Sequence, residues 1–192
     1  YLAMNDTARA INILEEGFSV YPDSINVVTN LIDLYIKTDQ TKKGLEKIEE
    51  SIKSSPQKGE LYYWKGRLML GLLDDEANSV DKVIEVYKTA IKYNPTLYYV
   101  YYDIGFVYFM QGQELFTQAG GEKDSQRRTL LHDVATEKFN DAIPVLNDAL
   151  KYNDSNVAIK IETLDTLRRI YYRLQMNDKY EEVTKMLKEI RN

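Results

Sequence analysis

The residues best equipped for chemistry in this chain are one histidine, several acidic runs and sixteen tyrosines. His132 is followed by Asp133 and, five residues on, by Glu137. A zinc site takes three or four nitrogen, sulfur or oxygen ligands in a closed geometry. A lone imidazole in a chain with no cysteine supplies no second soft ligand at a useful spacing, so His132 reads as a surface residue. The absence of cysteine also removes disulfides and thiol catalysis, and it leaves the redox compartment open. Asp74-Asp75-Glu76 and Glu181-Glu182 lack the alternating oxygen ligands of a calcium loop. Neither a dinucleotide nor a nucleotide phosphate loop occurs, and the pair Gly120-Gly121 follows no strand, which makes it a turn. No serine sits in a nucleophile elbow. The sequence therefore assigns no catalytic residue, no metal and no cofactor, and it reads as a non-enzyme. What remains is aromatic: Tyr98-Tyr99-Val100-Tyr101-Tyr102 opens a stretch that continues through Phe106 and Phe109.

Bulk properties narrow the partners. Hydrophobic residues at 44% and charged residues at 29% of 192 give a chain able to bury a core. No apolar run approaches the roughly 18–20 residues that cross a bilayer. A net charge of -5 opposes binding to a phosphate backbone, which wants a cationic face. The pairs Arg127-Arg128 and Arg168-Arg169 lie among acids and read as helix surface.

The elements that position these residues follow from spacing. Pro22 and Pro56 are 34 residues apart, Pro95 follows after 39, and Asp154 takes the same place 59 further on. Ala10, Gly44, Val83, Ala142 and Val183 recur at steps of 34, 39, 59 and 41. Leu14, Ile48, Tyr87, Leu146 and Leu187 keep those steps four residues later, and Gly17, Ser51, Ala90, Ala149 and Ile190 keep them seven later. Offsets of four and seven put each set on one helix face. A small residue permits close helix approach, a larger one a turn away fills the space beside it, and proline ends the unit. Such hairpins share a core only by stacking.

These columns resemble the tetratricopeptide repeat (TPR). Gly66 and Ile104-Gly105 match its Leu-Gly place, with Lys65 departing from it. Tyr35, Tyr108 and Tyr171 match its Tyr place, where Met69 substitutes, and Tyr62 and Tyr101 match its first-helix aromatic, where Val28 departs. The resemblance implies an all-α, right-handed superhelical solenoid of antiparallel helix hairpins forming one domain over 1–192. Its expected repeats are a truncated one over 1–24, then 25–58, 59–97, 98–156 and 157–192. Tyr1 falls in the Tyr place, 34 before Tyr35, so the chain is expected to begin near the end of a first helix, as a fragment or processed form.

Departures from the period predict local structure. Extra residues around 72–79 predict a longer turn. The 25 additional residues between Tyr108 and Ala142 predict a long inserted hairpin near 113–137, breaking at Gly120–Asp124 and restarting on Asp124 or Ser125 as N-cap. Pro144 falls inside the second of these helices, where it is expected to kink it or free a carbonyl. The last repeat is expected to carry about one extra turn on its first helix. The segments 138–146 and 170–183 are similar to extended repeats of exported bacterial TPR proteins, which implies a bacterial, periplasmic setting.

In the family, first helices line a concave ligand face. By register, Asn26, Thr29, Asp33, Lys37 and Glu60 fall on that face. The candidates for partner binding are Tyr63, Arg67, Tyr99, Tyr102, Phe106, Phe109, Arg169, Tyr172 and Arg173. Tyr99, Tyr102, Phe106 and Phe109 share one helix side, and rigid amphipathic rings are favoured contact residues. The inserted hairpin begins directly after this helix, so the same rings are equally placed to pack beneath it. The arginines read also as solvated helix surface. The clamp with which chaperone-tail-binding relatives grip a carboxylate does not match, because its places hold Thr29, Asp33, Trp64 and Tyr99. The expected function is an interaction scaffold for a protein or peptide partner. The alternative is a small-ligand or glycan receptor, with tyrosine faces stacked on sugar rings in the groove.

Overall fold

The structure is a computed structural model that describes residues 4–22, 24–73 and 79–191. Among the described residues it has nine helices and no strand. They are α1 (Met4–Val20), α2 (Ile25–Lys37), α3 (Thr41–Ser54), α4 (Gly59–Leu70), α5 (Val80–Tyr93), α6 (Tyr98–Gly121), α7 (Ser125–Tyr152), α8 (Val157–Arg173) and α9 (Asn177–Arg191). Two expectations, the register of Tyr1 and the turn at Asp74-Asp75-Glu76, lie outside the described residues. The chain divides into two compact units, Tyr1–Leu97 and Tyr98–Asn192.

In the first unit, α2 pairs with α3 and α4 with α5, and α1 packs on α2. A core cluster there includes Ile11, Phe18, Val28, Leu31, Ile32, Tyr35, Ile48, Leu61 and Leu68. The small-residue column acts as the spacing predicts: a Cβ on Gly44 would stand 2.8 Å from Leu68 Cδ2. The first-helix glycine of the next hairpin is tighter still, with a Cβ on Gly66 2.3 Å from Tyr87 Cε1. The Tyr35 hydroxyl donates to the Glu15 carboxylate on α1, tying the first helix to the hairpin. Burial, together with that carboxylate, pushes the Tyr35 phenol far above its ordinary range.

The second unit is built on the long pair α6 and α7, of 24 and 28 residues, with α8 and α9 packed against it. At about 1.5 Å per residue these helices run roughly 36 and 42 Å. The restart is at Asp124, whose carboxylate accepts from the Arg127 amide at 2.8 Å. The helix then continues through Pro144 to Tyr152. The core holds Phe109, Phe139, Leu146, Leu164, Leu167, Ile170 and Tyr171. Two glycines allow α6 and α7 to close: a Cβ on Gly105 would lie 2.5 Å from Leu146 Cγ, and one on Gly112 2.6 Å from Phe139 Cε1. Residues 123–130, at the restart, are all exposed. The extra turn expected of the last hairpin is present, since α8 has 17 residues against 13 in α2.

The turns that close α2/α3 and α8/α9 are built alike. Asp39 (φ 57°) and Gln175 (φ 55°) are the left-handed residues among those described. Each is followed by an amide that reaches back five residues, Gln40 to the Tyr35 carbonyl at 2.8 Å and Met176 to the Tyr171 carbonyl at 2.9 Å. This ending satisfies carbonyls that would otherwise be orphaned at the helix terminus.

Candidate functional site

In the second unit the first helices of the two hairpins, α6 and α8, lie side by side. Along α6 the three- and four-residue spacing lines up a row of rings. Tyr102 and Phe106 are stacked with centroids 5.8 Å apart, Phe106 and Phe109 are 6.2 Å apart, and Phe109 reaches Phe139 of α7 at 6.1 Å. The row is graded in depth. Phe109 is only 3% exposed, Tyr102 is half-buried, and Phe106 is 38% exposed. The Tyr102 hydroxyl lies within electrostatic reach of the Glu162 carboxylate of α8. Burial first, then that carboxylate, holds the phenol well above its ordinary range, against an opposing pull from Arg169. Tyr102 thus stays neutral.

Beyond this row the helices frame a hollow of about 510 Å³. Phe109 and Gln113 of α6 form one side, Arg168, Arg169, Tyr172 and Arg173 of α8 the other, and Tyr180 of α9 the end. The charges there are unequal in availability. Arg168 sits 2.8 Å from a carboxylate oxygen of Asp165, which also meets Arg191 at 3.0 Å. Arg169 and Arg173 make no ion pair with a carboxylate among the described residues. The Arg173 guanidinium instead lies 4.6 Å from the centre of the Phe116 ring, a cation–π placement. Tyr172 is 69% exposed, with its ring centroid 6.0 Å from that of Tyr180.

Of the nine residues expected to contact a partner, Phe109, Arg169, Tyr172 and Arg173 come together around this hollow. Tyr102 and Phe106 continue its aromatic row. Of the two placements left open for these rings, Phe109 takes the packed one: it lies between Phe106 and Phe139 at 3% exposure and lines the hollow as floor. Tyr99, at the start of α6, is half-buried edge-on against Tyr98 at 5.4 Å. Tyr63 and Arg67 belong to α4 in the other unit, where the Arg67 guanidinium donates to the Tyr63 hydroxyl at 3.3 Å. Tyr63 also stacks on the buried Tyr87 at 6.1 Å. His132 is half-buried, not free on the surface, because its ring meets the Phe116 ring edge-on at 4.8 Å. Sequence reasoning missed Gln113, Arg168 and Tyr180. Gln113 lies four residues after Phe109 and was within reach of the same register. Tyr180 comes from a second helix, which a rule confined to first helices does not reach. Among the described residues no group of three or more histidine, cysteine, aspartate or glutamate side chains is placed to hold a metal. Among them, too, no helix is long and apolar enough to cross a membrane.

Stacked helix hairpins with a ring-lined hollow on their first helices have the fold of tetratricopeptide-type helical repeats. A family model described as a TPR repeat matches residues 76–112. No curated protein matches the chain in sequence. Similar solved structures carry the fold across the chain. MamA is 16% identical with a TM-score of 0.61, covering 100% of this chain and 96% of its own. TTC0263, a thermophilic TPR protein of Thermus thermophilus, is 16% identical with a TM-score of 0.61, covering 97% of this chain and 84% of its own. YrrB, a TPR protein with an unusual peptide-binding site, is 11% identical with a TM-score of 0.57, covering 97% and 78%. The fold is an all-α TPR-repeat solenoid.

Proposed function

We propose that this protein is a non-catalytic interaction scaffold that holds a segment of a partner protein in the hollow between α6 and α8. The observation that carries the reading is the exposed Tyr172 ring standing beside two unpaired guanidinium groups over an aromatic floor. Tyrosine and arginine dominate the energetics of protein contacts, because each offers area and directed donors at modest entropic cost. The hollow opens along exposed Tyr172 and Arg173, a shape suited to a chain passing over it. The peptide-binding site named for YrrB, on the same fold, agrees with this use. An exported bacterial setting, implied by the likeness of 138–146 and 170–183 to extended repeats, is part of the proposal.

A photo-crosslinking amino acid in place of Tyr172 tests the reading in cells of the source organism. The expected outcome is a discrete adduct of this chain with another polypeptide. The same crosslinker in place of Lys185, an exposed α9 residue outside the hollow, is expected to give none. Equal adducts at both positions, or adducts at neither, contradict the reading.

A further inference from the structure

The charge of the hollow says more about what it holds. The whole chain is acidic, with a net charge of -5, yet α8 turns Arg168, Arg169 and Arg173 toward one hollow. Only Arg168 is neutralised there, by Asp165 at 2.8 Å. Glu162, the other acid of α8 near the row, makes no ion pair with Arg169 or Arg173. Two guanidinium groups therefore face solvent without a carboxylate among the described residues. One of them, Arg173, is held in place by the Phe116 ring at 4.6 Å. A pre-positioned guanidinium loses less freedom on forming a forked bond, and its planar donors match a carboxylate.

From this we infer that the segment held in the hollow is acidic, presenting two carboxylates to Arg169 and Arg173 beside a ring or large apolar side chain. The inference rests on the scaffold reading and adds the chemistry of the partner. Arg169 and Arg173 are one helical turn apart, about 6 Å along α8. In an extended segment, side chains two residues apart lie on one face with a similar separation of about 6.6 Å. The matching pattern is thus acid, any residue, acid, in an extended stretch, with its apolar neighbour seated on Tyr172 and the edge of Phe109. Gln113 lines the same hollow and has an amide to offer the backbone of such a segment. A short acidic stretch answers to the local cations, because screening confines the repulsion of distant acids to about 10 Å at ordinary salt. A long polyanion such as a nucleic acid meets the acidic remainder of the chain and is disfavoured.

The test is selection of random twelve-residue peptides displayed on phage against the full chain. Recovered peptides are then synthesised, labelled and titrated by fluorescence anisotropy. The expected peptides are enriched in paired Asp or Glu beside an aromatic or large aliphatic residue. Replacing their acids by amides, or making Arg169→Gln with Arg173→Gln, is expected to weaken binding about 10-fold or more. Double reversal, R169E with R173E, is expected to shift the selection toward Lys- and Arg-rich peptides. Both arginines are exposed, so circular dichroism of these variants is expected to be that of the parent. Peptides without acidic enrichment whose binding still falls with Tyr172→Ala overturn the inference about charge and leave the scaffold reading standing. Recovery of no peptide, or of peptides indifferent to Tyr172→Ala and to both arginines, overturns the two together. Tighter binding of a single-stranded oligonucleotide through the same arginines also overturns the acidic-segment assignment.

Discussion

Phe139→Ala is expected to destabilise the protein by about 4 kcal/mol, the range for deleting a buried aromatic side chain. Phe139 is 1% exposed, and it is the ring on which α6 rests. It packs on Phe109 at 6.1 Å, and its ring lies where a Cβ on Gly112 would fall. A loss of this size is a large part of the stability of a domain. The geometry also fixes the sign of a second substitution. In the parent, Gly112→Ala adds a methyl 2.6 Å from Phe139 Cε1. The crowding of a rigid buried ring, about 1–3 kcal/mol, outweighs the roughly 1 kcal/mol that alanine gains over glycine inside a helix. With Phe139 already replaced by alanine, that space is empty and only the gain remains. Gly112→Ala is therefore expected to destabilise the parent and to stabilise the Phe139→Ala protein. A double-mutant cycle followed by urea unfolding and circular dichroism measures this. Additive effects contradict the close approach of Gly112 to the Phe139 ring.

Gly66→Val is expected to cost about 3 kcal/mol in the other unit. A Cβ at Gly66 would approach three atoms of the Tyr87 ring at 2.3, 2.6 and 3.0 Å. Tyr87 is fully buried and has no free direction in which to retreat. Valine adds two more methyls at the same point and brings the poor helix propensity of a branched side chain. The strain does not stop at Tyr87, because that ring stacks on Tyr63, itself bonded to Arg67. Pairing Gly66→Val with Tyr87→Leu is expected to recover part of the loss, since leucine clears the ring from the α4 backbone. Thermal unfolding of the two variants reads the result. A Gly66→Val protein as stable as the parent would falsify the close approach of α4 and α5.

The architecture was largely legible in the sequence because its causes are periodic. The three columns mark buried positions in the middle hairpins: Gly44, Ile48 and Ser51, then Val83, Tyr87 and Ala90, then Ala142, Leu146 and Ala149 are all buried. Ala10, Leu14 and Gly17, in the first helix, carry the same pattern and are only half-buried. The insertion was legible for a local reason, since Gly120-Gly121 ends α6 and Asp124 caps α7. The site was harder to read. Register places a residue on a helix side but does not say how deep that side lies, so it leaves open whether Phe109 is a contact ring or floor, and burial decides for floor. Arg168, Arg169 and Arg173 look alike in sequence. They differ in the structure only because Asp165 faces one of them and the Phe116 ring another.

We propose that the hollow between α6 and α8 holds the partner segment, and this is the central proposal for the chain. Its most direct test is a titration of the nitrogen-15-labelled chain with a display-selected peptide, read by amide chemical shifts. The predicted result is shifts that saturate together and cluster on Phe109, Gln113, Arg169, Tyr172, Arg173 and Tyr180. The contradicting result is a saturable set of shifts confined to α2–α5, or to the exposed residues 123–130, with those six amides unmoved.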